Sequence, residues 1–226
     1  MARLFPRFPP AGSERDQPSV RNSVSLPIAL ADGRMVVGRM HSFDGLSDEG
    51  EHFALELAPR TLSGAVPLVR VHSECVTGDV LGSLRCDCGA QMREALQRIH
   101  DDGGFILYLR QEGRGIGLYR KLDAYRLQEQ GLDTFSANRA LGRGDDERRF
   151  NVAAEMLSAL GVPRIRLLSN NPAKKLQLID CGIAVDTMEL TGVHVSRHNR
   201  SYLEAKVLHT QHQIALDSEL PEKQVP

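Results

Sequence analysis

Residues 70–91, RVHSECVTGDVLGSLRCDCGAQ, hold three of the chain's four cysteines. If those thiols converge, the end of one strand and two positions of a tight bend must meet at a point, and the rest of the chain has to fold around that meeting. Cys86 and Cys88 are two apart, too close for a zinc-finger knuckle, but a bend can aim both at one ion. Cys75 arrives from the end of the preceding strand. Three thiolates leave the fourth tetrahedral position of zinc open, the arrangement of a catalytic rather than a closed structural site. Water in that position loses much of its pKa and becomes a nucleophile near pH 7. The competing reading is three inert buried thiols, because free cysteine packs as a small hydrophobe. Asp, Arg, Ser, Thr and Gly crowd the same segment, a poor composition for plain core. Four cysteines without a secretory segment do not suit a disulfide framework.

Around that segment the texture of the chain changes. Residues 1–23, rich in Pro, Arg and Ser, read as a mobile tail. From Val24 the pattern is strand: SLPIAL, a turn at Asp32-Gly33, RMVVGRMHSF, then HFALELA, and a fourth strand from Pro67 to His72. This first third is expected to be antiparallel sheet. Ala90 to His100 fits an amphipathic helix with Met92, Ala95, Leu96 and Ile99 on one face, stopped by Asp101-Asp102-Gly103-Gly104. Phe105 to Leu109 reads as a buried strand and Ile116 to Gln130 as a helix ending at Gly131. The acids Asp145, Asp146 and Glu147 suit the start of a helix that runs to Gly161. Arg164 to Leu168 is a strand, Pro172 opens a helix that Gly182 caps, and Ile183 to Val185 begins another strand. The fold class expected is mixed α/β: mainly antiparallel strands first, then strands and helices alternating around a mixed sheet. One catalytic domain is placed at 24–190, followed by a partly helical extension at 191–226 in which Ser201 to Leu216 is helix-compatible and His209 and His212 have no evident role.

A net charge of -1 exerts no overall pull toward nucleic acid or anionic lipid. Trp is absent and aromatics are 5%, which argues against base-stacking platforms for single strands. No apolar run reaches transmembrane length, and the Arg-bearing N-terminus lacks a signal-peptide core. A cytoplasmic protein with no membrane and no nucleic-acid partner is expected. Positive charge is concentrated locally, in Arg110, Arg114, Arg120, Lys121 and Arg126 and then Arg139, Arg143, Arg148 and Arg149.

Two strands of the second part end in polar segments, Leu109 into RQEGRGIG and Leu168 into SNNPAKK. Side chains at such carboxyl ends converge on a crevice where helix N-termini bind anions. Arg110, Arg114 and Lys174 can neutralise phosphate oxygens, the arginines in bidentate fashion; the same residues also suit an ordinary solvated turn. RQEGRGIG matches neither the P-loop nor the dinucleotide fingerprint. Glu112 can accept from a guanine N1–H and amine or pair with Arg110. Gln91 can bond a base or cap its helix. Asp146 can be an N-cap or a catalytic acid-base group, and Tyr125, on an amphipathic helix, reads as core by position alone. Thr134 and Asn138 flank a segment more polar than a mere connector requires.

Taken together, RVHSECVTGDVLGSLRCDCG, RQEGRGIGL, KLDAYRLQEQGLDT, AN-x-x-LG, DERRF and LLSNNPAKK, in this order between about Val66 and Val185, resemble GTP cyclohydrolase II of riboflavin biosynthesis. The resemblance implies hydrolysis of GTP to 2,5-diamino-6-(5-phosphoribosylamino)pyrimidin-4(3H)-one, formate and pyrophosphate. It implies one catalytic zinc per subunit on Cys75, Cys86 and Cys88, Mg2+ on the triphosphate, and a homodimer. Arg70, Val71, His72, Ser73, Glu74, Gln91, Glu112, Gly113, Arg114, Thr134, Ser169 and Lys174 would line the nucleotide site. Asp146 would be the proton acceptor, Arg148 would act at the α-phosphate, and Tyr125 would orient groups for hydrolysis at C8. A guanidinium stays protonated at neutral pH, so electrostatic stabilisation is the easier role for Arg148. Ser169 stands where many members have Thr, Ala173 where Lys is frequent, and Tyr119-Arg120 also departs from the common pattern. A runner-up reaction stops at the formylamino pyrimidine; it goes with loss of the tyrosine that is Tyr125 here. A non-catalytic nucleotide-binding protein would have lost a cysteine ligand, Asp146 or Arg148. A nucleic-acid-binding zinc module would need closed-site cysteine spacing.

Overall fold

In the computed structural model, which describes residues 17–58, 65–144 and 146–210, seven strands form one mixed sheet in the order β1-β2-β3-β5-β4-β6-β7. The strands are β1 (Ser19–Ala29), β2 (Met35–Asp44), β3 (Phe53–Leu57), β4 (Leu68–Ser73), β5 (Gly104–Leu109), β6 (Arg164–Leu168) and β7 (Ala184–Glu189). The helices are α1 (Cys88–Asp102), α2 (Leu118–Glu129), α3 (Thr134–Ala140), α4 (Asn151–Ala159), α5 (Pro172–Asp180) and α6 (Arg200–Thr210). Strands β1, β2, β3 and β5 pair antiparallel, whereas β5-β4, β4-β6 and β6-β7 are parallel. The Asp32-Gly33 turn forms as expected: Gly33 takes φ +87, and the Asp32 side chain accepts from the Arg34 N–H at 3.0 Å. Strand β1 begins at Ser19 rather than Val24, so part of the expected tail is sheet; residues 1–16 lie outside the described residues.

The fourth strand departs from the antiparallel expectation. It lies between β5 and β6 and is parallel to both. Helix α1 is the reason: a strand followed by a crossover helix returns to the sheet parallel to its predecessor. The residues fit that place, since all of Leu68 to His72 are buried with no exposed alternate face. Alternation still sorts the side chains within the sheet. Val69 and Val71 join the core beneath α4 and α5, with Leu107, Phe150, Met156, Leu157, Ile165 and Leu167. Leu68 joins the other core beneath α1, with Leu57, Ala95, Ile99 and Ile106. Arg70 and His72 therefore share the α1 side of the sheet with Leu68, and β4 delivers both to the point where α1 begins. At the start of β5, a Cβ on Gly104 would come within 1.9 Å of the Leu68 carbonyl oxygen, so only glycine lets these backbones meet.

Helix α4 starts at Asn151, not at the acids before it. Asp146 accepts from the Arg148 N–H at 3.1 Å and holds the Arg148 guanidinium through both oxygens. A short side chain that folds back on its own backbone in this way competes with helix. Asp145 lies outside the described residues. Helix α2 starts two residues later than expected. Gly117, between the expected start and the observed one, adopts φ +88, which breaks the helical path. Helix α3 is a further element, its first turn capped by Asp133, whose Oδ1 accepts from the Ser136 N–H at 3.0 Å. Pro172 opens α5 with Asn171 as N-cap, and Gly182, φ +86, follows its end. Helix α6 occupies the first part of the helix-compatible tail; the His209 side chain and all of His212 lie outside the described residues. Among the described residues no helix is long and apolar enough to cross a membrane.

Candidate active site

Strand β4 runs out at Ser73, and the chain turns through a single π-helical turn at Val76–Val80. Asp79 organises it. Its carboxylate accepts from the Cys75 N–H and the Tyr108 hydroxyl, each at 3.0 Å, and from His72 Nε2 at 3.1 Å. Because a carboxylate only accepts, the His72 proton sits on Nε2 and leaves Nδ1 an acceptor. Burial lowers the His72 pKa more than Asp79 raises it, so the ring is neutral at pH 7. The turn returns through Gly78 and brings Cys86 and Cys88 back onto Cys75. Cys75 Sγ and Cys86 Sγ are 3.6 Å apart, and all three sulfurs lie within 4.8 Å of one another. A disulfide needs about 2.05 Å, so these are free thiols. Thiolates on one tetrahedral zinc, at about 2.3 Å each, sit about 3.8 Å apart, and the trio fits that ion. A Cβ on Gly78 would meet Cys86 Sγ at 2.8 Å and Cys75 Sγ at 3.1 Å; the absent side chain is what lets the turn pass behind the sulfurs.

The three thiols titrate as a set. Hydrogen bonds from Cys86 and Cys88, aided by the Lys121 ammonium, carry Cys75 far below the usual thiol range. Those same bonds push Cys86 up to about 11 and Cys88 well above its ordinary value. One negative charge is thus already favoured there, and a dication would favour the other two. Lys121 Nζ lies 3.1 Å from Cys75 Sγ and 2.8 Å from Glu112 Oε1. Burial opposes its charge, but the Cys75 thiolate and the Glu112 carboxylate outweigh burial and raise its pKa.

The sulfurs sit in the floor of a cleft with two lobes that share Ser73, Cys88, Arg114, Arg148 and Tyr202. In the thiol lobe Cys75 and Cys86 face Arg85, Glu112, Gly113, Lys121, Tyr125, Thr134 and Asn138. The Tyr125 hydroxyl is 3.5 Å from Thr77 Oγ1, and the Arg85 guanidinium lies 4.7 Å from its ring centroid. The second lobe is cationic. Arg70, Arg114, Arg148, Lys174 and Lys206 line it together with His72, Gln91, Ser169, Asn170 and Asn171, without a carboxylate among the lining residues. Lys174 donates to the Val71 carbonyl at 2.7 Å, and burial, then Arg70 and Arg148, depress its pKa. An anion in the lobe would reverse that. Helix α5 also opens here, with its positive end toward the lobe residues Ser169 to Asn171. Arg70 Nε, His72 Nδ1 and Ser73 Oγ are buried with no hydrogen-bond partner among the described residues, which leaves polar atoms for a ligand to meet.

Most of the sequence-derived residues converge on this cleft, with adjustments. Val71 is fully buried in the core, and only its carbonyl bears on the site. Glu112 pairs with Lys121 and accepts from the Val76 N–H at 2.7 Å, whereas Arg110 pairs with Glu74 at 3.0 Å. Gln91 bridges Arg70 and Asp87, each at 2.6 Å. Asp146 reaches the lobes only through Arg148. Burial raises its pKa, but the Arg148 guanidinium lowers it further, and the carboxyl ends below the usual range. Tyr202, Lys206, Asn170 and Asn171 line the cleft without having been expected there. For α6 the available signal was Tyr202 and Lys206 at i and i+4, an aromatic and a cation on one helical face.

A family model described as GTP cyclohydrolase II matches residues 23–189. A protein named GTP cyclohydrolase-2 from Vibrio cholerae is 53% identical over 175 residues, covering 77% of this chain and 88% of its own length. One of the same name from Aliivibrio salmonicida is 50% identical, covering 85% and 96%. The riboflavin biosynthesis protein RibBA of Thermotoga maritima is 49% identical, covering 79% of this chain and 45% of its own.

Proposed function

The chain belongs to the GTP cyclohydrolase II family, and from that premise we propose that it hydrolyses GTP to 2,5-diamino-6-(5-phosphoribosylamino)pyrimidin-4(3H)-one, formate and pyrophosphate, at the entry to riboflavin biosynthesis. The observation that carries this reading is the adjacency of the thiol trio to a lobe lined by five basic side chains and no carboxylate. GTP has two ends with unlike chemistry. A purine to be opened suits the sulfurs, and a triphosphate suits the cations.

Cys75, Cys86 and Cys88 would hold zinc, which when bound supplies a Lewis acid with an open position for the two hydrolyses at C8. Tyr125 and Lys121 stand beside that point. Both are donors at neutral pH, since burial raises the Tyr125 pKa and Lys121 keeps its proton. They orient the groups being hydrolysed and offset charge that develops there. Asp146 is ionised at neutral pH and can accept a proton once Arg148 turns toward the substrate. For Arg148, burial disfavours the charge, but Asp146 more than restores it and raises the pKa. The guanidinium therefore keeps its charge for the α-phosphate, with Arg114 and Lys174 placed to share the charge of departing pyrophosphate; Mg2+, bound to the triphosphate, would supply further positive charge there. Arg70, His72, Ser73, Glu74, Gln91, Glu112, Gly113, Thr134 and Ser169 form the remaining wall, and Val71 contributes backbone alone. A cytoplasmic homodimer fits the biosynthetic role. The β1–β2 hairpin supports pairing with a second copy, because it exposes apolar side chains on both faces, Val24 and Leu26 on one and Met35 and Val37 on the other.

Purified protein given GTP and Mg2+ should release formate and pyrophosphate in equal amounts, with the pyrimidine identified by mass. Pyrophosphate without formate would mean the shorter reaction, against which Tyr125 stands. Cys86→Ser should cost the protein its zinc and its formate release; formate release at the original rate would refute the thiol site.

A further inference from the structure

Asp87 lies between two of the three thiols and is 2% exposed. Its two oxygens are both committed: Oδ2 accepts from Gln91 Nε2 at 2.6 Å, and Oδ1 accepts from Lys206 Nζ at 2.8 Å. Lys206 comes from α6, beyond the segment 23–189 that the family model matches. Its ammonium lies 4.5 Å from the Tyr202 ring centroid one turn earlier in that helix. The connection from β7 to α6 is fastened along the way. Asn170 exchanges two hydrogen bonds with the Thr191 backbone, Glu94 takes the Gly192 N–H and His194 Nε2 at 2.9 Å, and Asn199 bonds back to Ser196 and His194. Helix α6 is thus led across α1 to the base of the cysteine turn.

We propose that Lys206 is a positioning residue for the metal site: from the C-terminal helix it anchors Asp87, and through Asp87 the turn that aims Cys86 and Cys88 at one ion. This rests on the reading of the three thiols as a zinc site. Partners one step removed from a metal fix the direction of its ligands and are worth about 10–100-fold in metal affinity. Here the step is short, because Asp87 adjoins both ligands in the chain. The other side of Asp87 is already braced: Gln91 takes Arg70 at 2.6 Å, and Arg70 reaches the Leu168 carbonyl at 3.3 Å. Lys206 is the brace from outside the sheet. Without it the buried carboxylate beside three sulfurs keeps Gln91 as its one side-chain hydrogen bond and loses its directly bonded cation, and a buried charge that loses its paired cation is strongly destabilised.

The test uses the full-length, zinc-loaded chain and follows transfer of zinc to a chromogenic chelator alongside steady-state kinetics with GTP. Lys206→Met should release zinc about 10–100-fold faster and lower kcat, while K206R restores much of the retention. In an Asp87→Asn background K206M should change the release rate little. Unchanged zinc release with a raised KM would overturn the proposal and make Lys206 a substrate contact only. Wild-type protein that never retains zinc would instead overturn the reading of the thiols beneath it. Should K206M fail to fold, hydrogen exchange on the wild-type chain decides. Coupling is reciprocal, so zinc loading should slow exchange of the α6 amides, and exchange indifferent to zinc would refute the link.

Discussion

Gly78 carries no functional group, yet it sits closer to the chemistry than most residues that do. An added methyl would press on Cys86 Sγ at 2.8 Å and on Cys75 Sγ at 3.1 Å, and the π-turn behind the sulfurs has nowhere to retreat. Gly89 packs against that turn, with a Cβ there meeting the Gly78 carbonyl oxygen at 2.2 Å. Gly78→Ala should therefore retain the fold but bind zinc at least about 10-fold more weakly, as read by metal content after dialysis against chelator. At this scale the thiols were legible in the sequence because spacing and polar surroundings agree. Asp146 was not legible as a non-helical residue. Three acids before an apolar run look like a helix start, and the deciding fact is a guanidinium two residues on that takes the carboxylate. Lys206 was less legible still, since its partner is 119 positions away and a lone Lys on a helix usually faces water.

Among the elements, β4 and β5 carry the architecture. They are parallel neighbours in the middle of the sheet, buried on both faces, and they end at the residues that start the cleft. Leu107 on β5 is fully buried in the core under α4 and α5, far from the sulfurs in chemistry though on the same strand as Tyr108. Leu107→Ala should lower unfolding stability by about 2–5 kcal/mol, measured by denaturant titration, and should leave the pH dependence of turnover as it was. Most elements were readable from period and punctuation: the Asp32-Gly33 turn, the α1 face, Pro172 and Gly182 all stand where their chemistry suggests. The direction of β4 was not, because a run such as LVRV records burial and says nothing of which neighbour the strand will have. Helix α3 was missed for a different reason. At seven residues it is short, and a single Asp133 cap and tertiary contact hold it rather than any strong periodicity.

Taken as a whole molecule, the chain is nearly electroneutral, at -1, and still gathers Arg70, Arg114, Arg148, Lys174 and Lys206 around one lobe. Two of the five have an acid against them from outside the lobe lining, Asp146 on Arg148 and Asp87 on Lys206; many other acids are in ion pairs on the outer surface such as Arg164–Asp186 and Arg166–Asp102. A separation of charge on this scale acts at a distance. Field lines from the lobe reach past the first layers of solvent, so a polyanion diffusing nearby is drawn toward the opening before any hydrogen bond forms. Dissolved salt shortens that reach to about 8 Å at 0.15 M and about 3 Å at 1 M. The Michaelis constant for GTP should accordingly climb with added KCl while turnover at saturation changes far less, in a titration at fixed Mg2+. A Michaelis constant that ignores salt would mean that the lobe gathers its cargo by touch alone. If it does climb, the uneven placement of otherwise cancelling charges makes the molecule a funnel, one that works hardest in dilute electrolyte.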